Sequence, residues 1–245
     1  MTVDRPSEPV ERTASISLVV PAYNEAANIE GVVAEALEVL RGITPRYEVL
    51  VGNDGSTDGT REILDRLAAT HPGLRVIHTY PNRGVARNCL DLYRRATGDL
   101  VAFFPGDGQV RPRELRRLLA GCDRFDLVVG HRRHRRDPWP RRLNAWLWNT
   151  ATRVLFGLRV HDVDSVKLFP GDLVRTVPVE SLSPFMETEI LIRARERGLR
   201  IGNVEVEHFP RTAGRASGAR LGVVLRALRE MVRFWVRSGL SRGAR

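Results

Sequence analysis

Between Ser15 and about Gly130, short β-branched runs alternate with stretches of helical periodicity, a rhythm that points to βαβ units on a parallel sheet. The strand runs are ISLVV, YEVLV, LRVIHTY, DLVAFF and FDLVVG. After the first of them, Ile29, Val32, Val33, Ala36, Leu37 and Leu40 recur at the spacing of one helix face. Later helices carry Ile63, Leu64 and Leu67, then Ala86, Cys89, Leu90 and Tyr93, then Leu115, Leu118, Leu119 and Cys122. Each stripe reads as a core face. The expected class is therefore α/β, a mostly parallel, Rossmann-like sheet flanked by helices, and 245 residues suffice for one such domain.

The second half changes character. HRRHRRDPWPRR, with eight arginines or histidines in twelve residues and two prolines, is expected to be an exposed loop. A helix should follow from Leu143 to about Phe156, with Leu143, Trp146, Leu147, Val154 and Leu155 on one side and Trp148 on another. VHDVDSVKLF reads as a strand, METEILIRARERG as a helix, and IGNVEVEHF as a strand in which Val204, Val206 and His208 alternate. From Leu221 to Arg237 a last helix gathers Leu221, Val224, Leu225, Leu228, Met231, Val232 and Trp235 into one stripe, with Arg220, Arg226, Arg229, Arg233 and Arg237 around it. Amphipathic helices rimmed by arginine suit either the domain core or an anionic membrane interface.

The net charge of +10 favours anionic partners such as nucleotide phosphates or acidic lipid. Nucleic acid is not expected, because there is no zinc spacing, aromatic RNA-binding pattern or recognition-helix motif. Lys167 is the only lysine in the chain. Cys89 and Cys122 suit core thiols of a cytoplasmic protein. Residues 1–14 lack any apolar segment and are expected to be a disordered tail.

In open parallel sheets ligands bind beyond the carboxyl ends of the strands, where this chain reads PAYNE, GNDGSTDGT and PGDGQ. The first lacks a Gly-x-Gly-x-x-Gly turn, which argues against dehydrogenase-like dinucleotide binding. Tyr23 can lie against a base, while Glu25 and Asp54 can accept hydrogen bonds from ribose or base. Equally, PAYNE suits a helix start capped by Asn24, and DGSTDGT a turn with an N-cap. Asp107 stands between Gly106 and Gly108, which would leave room for a metal or a pyrophosphate close to the backbone, with Gln109 alongside.

In order along the chain, these motifs resemble the family 2 glycosyltransferases of the GT-A fold, and most closely their dolichol-phosphate mannose synthase-like branch. VVPAYNE looks like the opening nucleotide-binding strand, GNDGSTDGT like the acidic second motif, NRGVARNCL like the third helix and PGDGQ like the metal motif. DLVVGHR, DVDSVKLF and EVEHFPRTAG are similar to its later blocks. The resemblance implies nucleotide contacts from Pro21, Ala22, Tyr23, Glu25, Asn53 and Asp54, and Mg²⁺ or Mn²⁺ on Asp107 and Gln109. Asn53 stands at a position usually acidic. Pro105 stands at the first acid of the metal motif, so metal binding is expected to be weakened.

The implied reaction is inverting transfer of a mannose- or glucose-like hexose from a GDP or UDP sugar to a polyprenyl phosphate, at the inner face of the cell membrane. Residues 15–130 would bind the nucleotide and 131–217 the acceptor, with 218–245 a basic helix and tail. Asp107, Arg132 and Arg211 are the expected catalytic groups. The resemblance implies that Arg132, Arg142 and Arg211, with Lys167 a further candidate, meet the acceptor phosphate, which is already ionised and needs cations rather than a base. A soluble hydroxyl acceptor would instead need a base, for which Glu187 and Glu189 are candidates. A third possibility is a non-catalytic module that binds nucleotide sugar or membrane.

Overall fold

A computed structural model describes residues 14–133, 139–210 and 221–243. The alternation of runs and stripes builds β1 (Ile16–Ala22), α1 (Ile29–Arg41), β2 (Tyr47–Asp54), α2 (Thr60–Thr70), β3 (Leu74–Thr79), α3 (Val85–Arg95) and β4 (Leu100–Phe103). A 3₁₀ turn at Pro112–Glu114 leads into α4 (Leu115–Ala120), followed by β5 (Leu127–Arg133) and α5 (Trp139–Phe156). Then come β6 (Lys167–Pro170), α6 (Gly171–Thr176), α7 (Phe185–Glu196), β7 (Ile201–Glu207) and α8 (Leu221–Gly243).

The seven strands form one sheet in the order β3-β2-β1-β4-β6-β5-β7. All neighbours are parallel except β6, which runs antiparallel to both β4 and β5. Strand residues alternate between two cores, as the pleat requires. Leu18, Val20, Val49, Val51 and Ala102 pack with α1, α2 and α4, while Val19, Leu50, Val101 and Val129 pack with α3, α6 and α7. Every predicted α1 stripe residue is buried. Burial of each such side chain is worth about 1.5–3 kcal/mol.

Three sequence expectations change. β5 runs on through Arg133, so HRRHRRDPWPRR is strand at its start, and α5 begins at Trp139, with Pro140 in its first turn, where proline's missing N–H has no intrahelical partner to lose. Residues 134–138 between them lie outside the described residues. In VHDVDSVKLF only Lys167–Phe169 belong to the strand, which ends at Pro170, and the acids before them form a loop. In α5, whose side toward the core the sequence left open, Thr152 and Phe156 are buried and Trp148 and Leu155 pack on the cores, while Trp146, Leu147 and Val154 face outward.

α8 divides its apolar side in two. Ala227 and Met231 are buried and Phe234 packs beside them against Phe156, Phe185 and Ile192. Glu230 accepts hydrogen bonds from the N–H groups of Leu182 and Ser183 ahead of α7. Leu225, Leu228, Val232, Trp235 and Val236 remain exposed. Both cysteines are free; burial pushes Cys89 well above the ordinary thiol range and Cys122, with Asp123 and Asp126 nearby, up to about 11.

Candidate active site at the carboxyl edge of the sheet

The first two strand-end motifs bind each other. Asn24, at φ 55°, donates its N–H to Ser56 Oγ at 2.9 Å and accepts from the Thr57 N–H at 2.8 Å. The Glu25 N–H reaches Thr60 Oγ1 at 2.9 Å, and the Ala26 N–H reaches Asp58 at 3.1 Å. Burial alone would raise the Asp58 pKa, but hydrogen bonds from the Thr60 hydroxyl and the Ala26 N–H hold it below the usual carboxylate range. This zipper explains the density of short polar side chains in both motifs.

Within it, Pro21 and Ala22 end β1 and Tyr23 is exposed beside them. The Glu25 carboxylate is largely buried and accepts from Asn28 Nδ2 at 2.8 Å. Asn53 and Asp54 are both buried. Asn53 bonds His78 Nδ1 at 3.0 Å and accepts from the Ser56 N–H at 3.2 Å. Asp54 accepts from the N–H groups of Arg83 and Gly84 at 2.9 and 2.7 Å and from the Thr79 hydroxyl at 3.2 Å. It thereby fixes the loop between β3 and α3 instead of standing open to solvent.

Asp107 follows β4 on a turn in which it accepts the Gln109 N–H at 3.1 Å. The flanking glycines also answer to the fold itself. A Cβ on Gly106 would meet the Pro21 carbonyl oxygen at 3.1 Å, so this residue lets the turn pack against β1. Gly108 has φ +68°, a conformation that other residues adopt with strain. From the other side the Phe209 N–H donates to the Gln109 carbonyl at 2.8 Å, and Arg111 and Arg113 lie over the Phe209 ring. The chain leaving β7 is thus pinned to the Asp107 turn. Arg211, two residues on, lies outside the described residues.

Asp107 and Gln109 line a cavity of about 140 Å³ together with Pro105, Val110, Arg132, Asp164, Ser165 and Val166. Arg132 is buried and forks onto Asp162, with Nε–Oδ2 at 2.6 Å and Nη2–Oδ1 at 2.8 Å. The expected phosphate ligand is therefore a cation already paired with its own carboxylate. Sequence reasoning missed Asp162, Asp164 and Ser165, because VHDVDSVKLF was read as strand. The signal was the pair of acids spaced by one residue.

Three other expectations need correction. Lys167 is fully buried under the cavity wall, with its ammonium 3.2 Å from Glu187, and does not reach an acceptor. Glu187 and Glu189, the candidate bases, are both engaged inside the fold. Glu187 accepts the Tyr93 hydroxyl at 2.7 Å. Glu189 is fully buried against Arg193 at 2.8 Å and accepts the Ser181 N–H at 2.9 Å. Arg142 lies in the first turns of α5 and not in a loop. Among the described residues, no three His, Cys, Asp or Glu side chains converge as a metal site.

A mostly parallel sheet with its cavity at the carboxyl edge, a zipped pair of strand-end loops and an acid on the β4 turn define a GT-A-type nucleotide-sugar fold. The chain belongs to glycosyl transferase family 2, whose sequence profile matches residues 17–169. It is 29% identical to glycosyltransferase AglD of Haloferax volcanii over 98% of this chain, which spans 41% of that protein's length. It is 28% identical to an undecaprenyl-phosphate mannosyltransferase of Micrococcus luteus, covering 83% of this chain and 88% of the relative. Among solved structures, glucosyl-3-phosphoglycerate synthase of Mycobacterium tuberculosis, in complex with Mn²⁺, UDP and glucosyl-3-phosphoglycerate, superposes with a TM-score of 0.65. That match has 23% identity and covers 94% of this chain and 80% of the other.

Proposed function

We propose that this chain moves a hexosyl group from a UDP or GDP sugar to the phosphate of a polyprenyl phosphate, inverting the anomeric carbon in one displacement. The observation that carries the reading is the cavity at Asp107, bounded by the β4 turn on the nucleotide side and by the loop ahead of β6 on the other. A polyprenyl-phosphate acceptor is supported by the name of the Micrococcus relative. It is supported again by α7: a phosphate attacks as an anion and needs no base, and Glu187 and Glu189 are both engaged with internal partners. Arg142 and Arg211 are then the cations that meet the acceptor phosphate, and the Arg132–Asp162 pair stiffens the cavity wall.

Tyr23 offers its exposed face to the base, and Glu25, Asn53 and Asp54 hold the surrounding loops in shape. Asp107 and Gln109 would hold a Mg²⁺ or Mn²⁺ ion at the cavity, as hard oxygen donors suit either ion. When bound, the ion neutralises charge on the departing diphosphate. Pro105 leaves that sphere one carboxylate short.

No helix among the described residues is long and apolar enough to cross a membrane. The reading places the enzyme at the cytoplasmic membrane face through α8, where Leu225, Leu228, Val232, Trp235 and Val236 are exposed next to Arg226, Arg229 and Arg233. The test is transfer of labelled sugar from UDP or GDP hexoses to undecaprenyl phosphate in anionic vesicles with Mn²⁺. Labelled lipid is expected; transfer only to soluble hydroxyl acceptors, or none at all, overturns the reading. In the same assay L228E/V232E should lose vesicle sedimentation without a change in melting temperature, since both side chains face outward. Unaltered sedimentation would remove α8 from the membrane.

A further inference from the structure

The one lysine of the chain is placed where a charge is hardest to keep. Lys167 is fully buried, donates to the Ser165 carbonyl at 2.8 Å, pairs with Glu187 Oε2 at 3.2 Å and stands 5.3 Å from the centre of the Phe103 ring. Glu187 in turn accepts the hydroxyl of Tyr93, which is fully buried on α3. A continuous polar line therefore runs from α3 through α7 and β6 to the loop that walls the cavity. An apolar pair of similar volume would stabilise the fold as well or better, because two ions taken out of water recover little net free energy. What an apolar side chain cannot do is hold a backbone carbonyl.

That carbonyl belongs to Ser165, which lines the cavity with Asp107 and Asp164. Its hydroxyl is buried, packs against Gly130, where a Cβ would lie 3.2 Å away, and has no hydrogen-bond partner among the described residues. We infer that Lys167 is a positioning residue: its bond to the Ser165 carbonyl sets the stretch of cavity wall that Asp164 and Ser165 present to the bound donor. Glu187 and Tyr93 hold the ammonium in register. This deepens the glycosyltransfer reading and rests on it.

The test uses K167M/E187Q, which removes both charges and leaves Tyr93 an acceptor. The variant should melt at or above the wild-type temperature yet transfer sugar on the order of 10- to 10²-fold more slowly, as expected when a reacting group is misplaced by about 1 Å. Wild-type turnover in K167M/E187Q overturns the inference. A second measurement does not depend on the variants folding: with a single lysine, ¹⁵N-lysine labelling gives one side-chain signal. Adding UDP or GDP with Mn²⁺ should shift it, and an unmoved signal in protein that binds the nucleotide also overturns the inference. Protein that binds nucleotide but glycosylates no lipid defeats the acceptor reading alone, and the lysine signal then still decides the positioning role. Failure to bind any nucleotide defeats both.

Discussion

At the edge where the parallel strands begin, Glu48 accepts hydrogen bonds from the Ser17 hydroxyl at 2.6 Å, the Thr97 N–H at 2.7 Å and the Thr97 hydroxyl at 2.8 Å, with Arg75 on its other oxygen. At the edge where the strands end, Asp107 accepts the Gln109 N–H and lines the cavity. Asp99 and Asp126 repeat the first pattern. Asp99 ties Ser15 ahead of β1 to the start of β4, and Asp126 ties the start of β5 to Arg200 ahead of β7. Carboxylates surrounded by donors from two strands join those strands. The Asp107 carboxylate instead lines a cavity, which is where the proposed function puts the chemistry.

The largest effect should come from the cavity edge. Asp107→Ala is expected to lower turnover on the order of 10²–10³-fold, the usual loss for an electrostatic stabiliser, with the melting temperature nearly unchanged. Near-wild-type rates in both Asp107→Ala and Asp107→Asn would erase the distinction between the edges.

The opposite pattern is expected at the other edge. Glu48→Gln should destabilise by about 1.5–3 kcal/mol, the worth of bonds to a charged group, with turnover per folded molecule unchanged. Burial alone would raise the Glu48 pKa above its ordinary 4.5, but its four donors outweigh burial and lower it. Hydrogen bonds from the Ser15 N–H and hydroxyl lower Asp99, and the Arg200 side chain lowers Asp126. A carboxyl lowered on folding binds fewer protons folded than unfolded. Its contribution is therefore complete above the unfolded pKa and is lost as pH falls through the folded value. Urea melts over roughly pH 3 to 6 should show a shallower acid loss in Glu48→Gln than in the wild type. Parallel curves would mean that Glu48 does not hold this edge.

The smallest effect should follow Pro105→Asp. It adds an acid beside Asp107 and should lower the Mn²⁺ concentration for half-maximal activity without altering stability. An unchanged requirement would put the Pro105 side of the cavity away from the ion.

Local patterns carried the first half of the fold into view. The α1 stripe is legible because six apolar residues repeat at helical spacing, and β1 and β2 because buried strands are short and β-branched. What stayed hidden depends on partners far along the chain. The placement of β6 between β4 and β5 is decided by pairings such as Phe103 with Lys167, which no local period records. α5 offered tryptophan on two sides, and only the cluster of Phe156, Phe185 and Phe234 selects Trp148 over Trp146. Asp107 was legible as a strand-end residue from its motif, yet Gly106 answers to the Pro21 carbonyl of β1 and Gly108 to its own backbone conformation. The internal partners of Glu187 and Glu189 were not legible, because Tyr93 and Lys167 for one and the Ser181 N–H for the other come from other elements or fold back along the chain.

The antiparallel β6 has an evolutionary consequence. Val128 and Val129 of β5 pair directly with Leu168 and Lys167 of β6, so the chain leaves the sheet and returns to an adjacent strand, about 4.8 Å away in any sheet. Everything between, α5 included, is an excursion with fixed ends. Lengthening such an excursion adds little closure entropy, about 0.6 kcal/mol for each doubling. The stretch between β5 and β6 can thus change in length at little cost, while the strands on either side keep their register.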